Sequence, residues 1–426
     1  MHTKMSEGQE LWWKWIALLT MIMVSLVFFN SPGTGDMSIW SEWLDYARQY
    51  GLREGFGMQG DMYPPFALIL QVVLQRIQPG LSNFVVLRLV NTFYLFLSAL
   101  VIHLLFKDAK VTLISFWGLI LSADLGYLDI EMVPFMILAF YFFSKEKYVL
   151  SGIFFSLLCL IKFQPLIIMP FILIYFVDIL DAGKKKFKPY ISIKNMIKMS
   201  IPAVLIGGGV LLIYKMSLVK ALYRALFVSG YSISPNGLNL GWIIQYCIEK
   251  YHEDLFGSLS GGCIGIIWNA PSSYRLFKYI FILIYAAAAV IMLIYRKKNY
   301  ARLLKCSLVG YTAYYVYNCG VHENHLFLGM ILMMLLYIEE PSKNNYYRMI
   351  MYNVIFNINL FVFYRIGFNR VIGGMFDPTL LLAVFNVIYL SLTMIRLMYE
   401  VMRPCEREQP GTEKRHGLVE HNDCKD

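Results

Sequence analysis

Long apolar runs separated by short basic connectors dominate the chain between residues 12 and 397. A helix that crosses a bilayer needs about 20 mostly apolar residues. Runs of that character lie near 12–30, 84–106, 111–125, 130–143, 148–162, 164–179, 197–214, 276–295, 303–320, 325–338, 348–364 and 376–397. The stretch 148–179 is too long for one helix and carries a polar break, Lys162-Phe163-Gln164-Pro165, at its middle. Proline disfavours helix at the residue before it, so this stretch is read as a helical hairpin. The pattern predicts an all-α fold, a polytopic transmembrane helical bundle of about 12 spans.

Basic residues in short loops mark the cytoplasmic side of a membrane protein. With the N-terminus inside, every second connector is basic. These are Lys107 to Lys110, Lys145 to Lys147, Lys184 to Lys188, Arg296 to Lys305, Lys343 to Arg348 and the tail from Arg403. They share one side only under the twelve-run count, which places both termini in the cytoplasm. The first run, Leu11 to Phe29, has no small-residue cleavage site before Ser31-Pro32 and reads as a retained span. The expected organisation is one membrane domain, 1–402, with a first outer loop at 31–83 and a second outer segment at 215–275. Residues 403–426 are charged, lack periodicity and are expected to be a disordered cytoplasmic tail. Within the first loop, Trp40, Trp43, Leu44 and Ala47 recur at helical spacing and predict an amphipathic interfacial helix.

Composition agrees with burial in lipid. Of 426 residues, 58% are hydrophobic and 15% charged, whereas soluble domains carry nearer a quarter charged. The net charge of +10 comes from residues concentrated in connectors, so it reads as an orientation signal and not as a nucleic-acid surface. The seven cysteines form no CxxC pair and mostly lie in apolar runs, as buried small hydrophobes do. Cys247 and Cys263 share the second outer segment, and their pairing is left open.

Ionisable residues at membrane depth mark function by default. Here they gather at the outer ends of the spans: Asp36, Glu42, Asp45 and Asp61, then Asp129 and Glu131, Lys162, His322 with Glu323 and His325, and Arg365 with Arg370. Each has a plainer reading. Asp36 suits an N-cap, Asp61 a turn, and Asp129 with Glu131 a solvated loop. Lys162 suits an interfacial cation that snorkels, or one that binds a lipid phosphate. The arginines suit headgroup contacts. His322 and His325 are three apart, so they do not form the HExxH zinc pair, which needs i and i+4.

Six short motifs follow one another in order. They are Gly35-Asp36, Asp61-x-Tyr63-Pro64-Pro65, Gly126-Tyr127-Leu128-Asp129, Lys162-x-Gln164-Pro165, Asn236-Gly237-Leu238-Asn239-Leu240-Gly241-Trp242 and His322-Glu323-x-His325. The series resembles the GT-C glycosyltransferases that use polyprenyl-phosphate sugars, in particular the dolichyl-phosphoglucose glucosyltransferases and bacterial polytopic mannosyltransferase-like enzymes. The resemblance covers about residues 33–335.

The resemblance implies inverting transfer of a hexose from a polyprenyl-phosphate donor to a lipid-linked glycan or other acceptor. The reaction is expected on the extracytoplasmic face of a bacterial plasma membrane or the ER membrane, among membrane lipids, with no metal, no other cofactor and no nucleic acid. Asp36 would be the general base. Asp61 and Tyr63 fall in the motif tied to the acceptor or to loop structure. Lys162, His322 and His325 would lie near the donor phosphate, and Asp129, Gln164, Asn236, Asn239 and Glu323 would line the substrates. Arg365 is a further candidate cation, with Lys215, Lys220 and Arg224 as reserves. The sequence departs from the family pattern at Tyr127, at Gly237 and at Asn324 before His325. Two other expectations stand beside this one: a lipid-linked oligosaccharide polymerase or ligase, and a flippase. No internal repeat of the kind common in transporters is visible.

Overall fold

Each of the twelve apolar runs contains helix in the computed structural model, which describes residues 7–29, 31–58, 63–180, 187–225, 232–251, 267, 271–294, 299–364 and 378–402. Asp61, Arg365, Arg370, Cys263 and the 403–426 tail lie outside the described residues. The helices are α1 (Glu7–Phe28), α2 (Asp36–Met58), α3 (Ile69–Ile77), α4 (Asn83–Phe106), α5 (Ala109–Asp124), α6 (Asp129–Ser144), α7 (Tyr148–Ile161) and α8 (Met169–Tyr175). They continue with α9 (Ile193–Tyr214), α10 (Met216–Tyr223), α11 (Leu240–Tyr251), α12 (Lys278–Ile294), α13 (Tyr300–Tyr317), α14 (Phe327–Glu339), α15 (Lys343–Tyr364) and α16 (Thr379–Met402).

Local chemistry sets several starts. Ser82, Asp108 and Asn299 accept hydrogen bonds from the first-turn amides of α4, α5 and α13. Such caps satisfy donors that the helix itself cannot. Among the described residues, four segments are long and apolar enough to cross a bilayer: α4, α9, Ser272–Ile294 and α16. With the shorter apolar helices beside them, they make this a helical membrane protein.

The run at 164–179 departs from expectation. It begins as a 3-10 turn, Gln164–Ile167, continues as α8 and then becomes β1 (Val177–Leu180), which pairs antiparallel with β2 (Phe187–Ile191). Nor does α8 pack back on α7 as a hairpin would. It lies against α12 and α13, while α7 packs on α6 and α9. Phe171 meets the Tyr285 ring of α12, and Phe176, just past α8, sits among Phe143, Tyr148 and Tyr175, so that only the end of the segment touches the start of α7.

At the centre, α14 is buried on every side from Phe327 to Leu336. A helix apolar all round belongs in such a place. By contrast, α9 and α12 turn large apolar side chains outward, among them Leu212 and Leu283. One end of the bundle is tied by charges. Lys305 Nζ lies 2.6 Å from Glu340 Oε2 and 3.4 Å from Glu400 Oε2, and Arg348 lies 2.8 Å from Glu400 Oε1. These contacts join the second turns of α13 and α15 to the ends of α14 and α16.

At the other end, Arg88 of α4 latches the first loop to the α5–α6 turn. Its guanidinium donates to the carbonyls of Ser31 and Asp124 and lies 3.7 Å from the Asp124 carboxylate. Both side chains of this pair are buried. The Thr34 amide donates to the Leu125 carbonyl at 2.9 Å, and the Trp40 indole donates to the Gly126 carbonyl at 3.2 Å. Gly33 has φ +77°, and a Cβ there would approach Met37 Cγ at 2.7 Å. Only glycine tolerates both demands without strain.

Removing one partner of a buried ion pair leaves the other charge uncompensated, at a cost of about 3–5 kcal/mol. Arg88→Leu should therefore lower the thermal midpoint of the purified protein by several degrees. A midpoint within one degree of the parent would show that the latch carries no such weight.

Candidate functional site

Loops from five parts of the chain meet at the Arg88 end. The site starts with Asp36, the first residue of α2, delivered there by the latched Gly33–Gly35 turn. The helix it begins buries Met37, Trp40, Trp43, Leu44 and Ala47, the stripe expected from the sequence. A break at Gly51 then bends α2.

Behind Asp36 stands a buried ion pair. Lys162 Nζ lies 2.8 Å from Asp129 Oδ1, and Asn324 Nδ2 donates to Asp129 Oδ2 at 2.8 Å. Asp129 opens α6, so helix-terminus geometry delivers it, while Lys162 sits in extended backbone just after α7. The ammonium also lies 5.5 Å from the Tyr63 ring centroid, and Tyr63 packs edge-on against Trp40 and Trp43. Asp129 was expected to meet substrate. Instead both of its oxygens are engaged within the protein and 1% of the residue is exposed, so it is the holder of Lys162.

Glu323 supplies the opposite wall. Tyr127 and Tyr364 both donate to its Oε1, and its Oε2 lies 4.0 Å from His322 Nδ1. Oε2 is buried and makes no hydrogen bond among the described residues. His325 is tied down by stacking on Tyr314 and by a 2.9 Å hydrogen bond between its Nδ1 and the Tyr314 hydroxyl. The neighbouring His322 ring is the more open of the two, with 44% of its side chain exposed. Gln164 lies beside Tyr314, its amide buried.

The loop 232–239 closes the cluster from the side of α15 and α16. Asn236 forms a β-bridge with His322 and donates to the Tyr364 hydroxyl at 3.2 Å. Asn359 of α15 accepts from Leu238 N at 2.7 Å and donates to the carbonyls of Asn236 and Glu323. Gly237, a departure from the resemblance, faces the Val321 carbonyl so closely that a Cβ would lie 2.5 Å from it. Asn239 was also expected to bind substrate. Its amide caps Trp242 N and donates to the Tyr315 carbonyl, and the residue is fully buried, so it is part of the scaffold.

Electrostatics follow from burial. The Asp36 carboxyl is pushed up to about 6, first by burial and then by Glu323, with His322 and Lys162 opposing. Burial also raises Glu323, against the hydrogen bonds from Tyr127 and Tyr364. Arrays of perturbed groups in one place are typical of functional sites.

The structure therefore assembles Asp36, Tyr63, Asp129, Lys162, Gln164, Asn236, Asn239, His322, Glu323 and His325 at one end of the bundle. Asp61 and Arg365 fall outside the described residues. Sequence reasoning passed over Arg88, Asp124, Asn359 and Tyr364, and noted Tyr127 and Asn324 only as departures. A signal existed for two of them: Arg88 and Asn359 are polar residues inside apolar runs, the feature that marked Lys162. No protein-family model matches the chain, and no curated protein matches it in sequence.

Asn359→Leu would remove four hydrogen bonds at a fully buried position. Unsatisfied buried partners cost about 1–3 kcal/mol each. Amide exchange at Leu238 should accelerate at least tenfold in this variant, and unchanged protection there would show that the loop is held by other contacts.

Proposed function

We propose that this protein is a polytopic glycosyltransferase that moves a hexose from a polyprenyl-phosphate donor to a lipid-linked or other glycan acceptor, with inversion. One observation carries the reading: Asp36, a carboxylate shifted toward neutrality, stands at a helix start beside a buried lysine and a second carboxylate, Glu323. All are presented where helices of an apolar bundle end. The twelve apolar runs are read as spans, the sixth of them made of the Gln164–Ile167 turn and the short α8 together, that put both termini in the cytoplasm and the Asp36 end on the extracytoplasmic side. The alternation of basic connectors supports that orientation.

In this reading Asp36 accepts the proton of the attacking acceptor hydroxyl as the new C–O bond forms at the anomeric carbon. The bond to the donor phosphate oxygen breaks from the opposite face, and the lipid phosphate departs with the electron pair. A pKa near the working pH suits a general base. Lys162 spends one N–H on Asp129 and keeps others for the departing phosphate. Its pairing partner and the Tyr63 ring hold the ammonium in one place, so little reorganisation is needed as charge develops. Among the described residues Asp36, Asp129 and Glu323 outnumber the one lysine in the cluster; Arg365, the further cation expected from the sequence, is assigned the remaining phosphate charge. His322, open beside Glu323, is assigned to the sugar hydroxyls. No metal is assigned a role.

Incubation of the purified protein with a panel of polyprenyl-phosphate hexoses, read by mass spectrometry of glycolipid products, tests the activity. Mass gain of one hexose on an acceptor is expected; none across the panel would remove the reading. Chelators should leave turnover intact, and loss restored by Mg²⁺ or Mn²⁺ would replace the metal-free mechanism. A positioned base contributes about 10²–10⁴-fold, so Asp36→Asn should lower kcat by that amount. For the parent, kcat/KM should fall about tenfold per pH unit below pH 6, because the base is then protonated, and level off above it. A profile flat from pH 5 to 8 would take the base role from Asp36.

A further inference from the structure

The short helix α10 takes no part in the cluster around Asp36, yet its surface has a definite chemistry. It follows α9 after a sharp break at Lys215, a non-glycine residue with φ +50°. That conformation is costly and persists only where the surroundings impose it. The break turns the chain off the axis of a bilayer-length helix just where that helix ends. Met216, Val219 and Tyr223 then recur at i, i+3 and i+7, so they share one face, and they are 63%, 44% and 59% exposed. Lys220 and Arg224 run along one edge of this stripe, and Lys215 stands at the break just before it.

None of these three cations forms a side-chain ion pair or hydrogen bond with another described residue. Acids to neutralise them are also scarce along the chain, since no Asp or Glu occurs between Asp181 and Glu249. The opposite face is anchored. Ala221 and Leu218 pack with Phe56 of α2, with Leu160 and Phe163 around the Lys162 turn, and with Val210 and Tyr214 of α9. The Phe56 and Tyr214 rings meet edge-on at 5.0 Å.

We propose that α10 is a foot that binds anionic phospholipid: the Met216–Val219–Tyr223 face enters the headgroup layer, and Lys215, Lys220 and Arg224, at its start and along its edge, take lipid phosphates. An apolar stripe bordered by cations is the pattern of a helix lying in a membrane interface. Headgroup phosphates, and not the donor phosphate of the proposed reaction, are the occupant. Lys220 and Arg224 border the outward face, while the side that reaches Phe163, next to Lys162, is filled by Ala221. Through Phe56 and Phe163 the foot braces both α2, which begins with Asp36, and the Lys162 turn.

Each such cation is worth roughly fivefold in affinity for an anionic surface. The test uses the purified full chain with phosphatidylglycerol and phosphatidylcholine, and native mass spectrometry of retained lipid. The parent should retain phosphatidylglycerol selectively, and a Lys215→Gln, Lys220→Gln, Arg224→Gln variant should lose up to about a hundredfold of that selectivity. The single Lys220→Gln change, at an exposed position, should cost about fivefold and serves if the triple variant fails to fold. Equal phosphatidylglycerol retention by parent and folded variants would overturn the proposal. So would retained phosphatidylglycerol accompanied by a raised KM for a polyprenyl-phosphate sugar, which would move these cations to the donor. The lipid readout is independent of glycosyl transfer, so either idea can fail without the other.

Discussion

A lysine ammonium buried against an aspartate is expensive, and the architecture around Lys162 and Asp129 is organised to meet that expense. Desolvating two charges costs several kcal/mol per ion unless their remaining hydrogen-bonding capacity is met. Asn324 takes the second oxygen of Asp129, and the Tyr63 ring faces the ammonium. Three turns distant in sequence, after α5, after α7 and after α13, must therefore come together for any one of them to be stable. That requirement sets the spacing of α6, α7 and α14, and through it the place where Asp36 meets its neighbours.

Two further devices make this end of the bundle rigid. Arg88 binds the first loop to the α5–α6 turn through backbone carbonyls, so the position of Asp36 depends on main-chain geometry and not on a mobile side chain. Asn359 does the same for the loop 232–239 and the Glu323 turn. Both sit on long helices packed in the core. Loops held by helices in this way can carry reactive groups with the precision a catalyst requires. The far end of the bundle is tied by ion pairs of Lys305 and Arg348 with Glu340 and Glu400, which keep the helix ends together.

The balance of charge in the cluster bears on the proposed chemistry. Asp36 is disfavoured as an anion by its burial and by Glu323, and so it holds a proton more readily than an ordinary carboxylate. A base of that kind can take a proton from a hydroxyl whose acidity rises as it attacks. Glu323 keeps one buried oxygen without a hydrogen bond among the described residues, an arrangement that a hydroxyl-rich ligand would satisfy. An acceptor made of hydroxyls suits these groups better than an anion would.

Much of this was legible along the chain, and the limits have a physical basis. Apolar runs long enough for a bilayer are a local property, so each predicted run contains helix. The stripe Trp40, Trp43, Leu44 and Ala47 needed only helical spacing to be read. The run 164–179 misled because apolarity does not separate a helix from a buried strand, and aromatic packing around Phe176 decided it. The type and order of the polar turns, including Asp36, Lys162 and Glu323, were visible for the same local reason. Their partnerships were not. That Asp129 serves Lys162, that Asn239 caps a helix and that Arg88 holds the first loop depend on which distant turns touch. A side chain's surroundings are fixed by contacts across tens to hundreds of residues, and spacing along one chain does not record them.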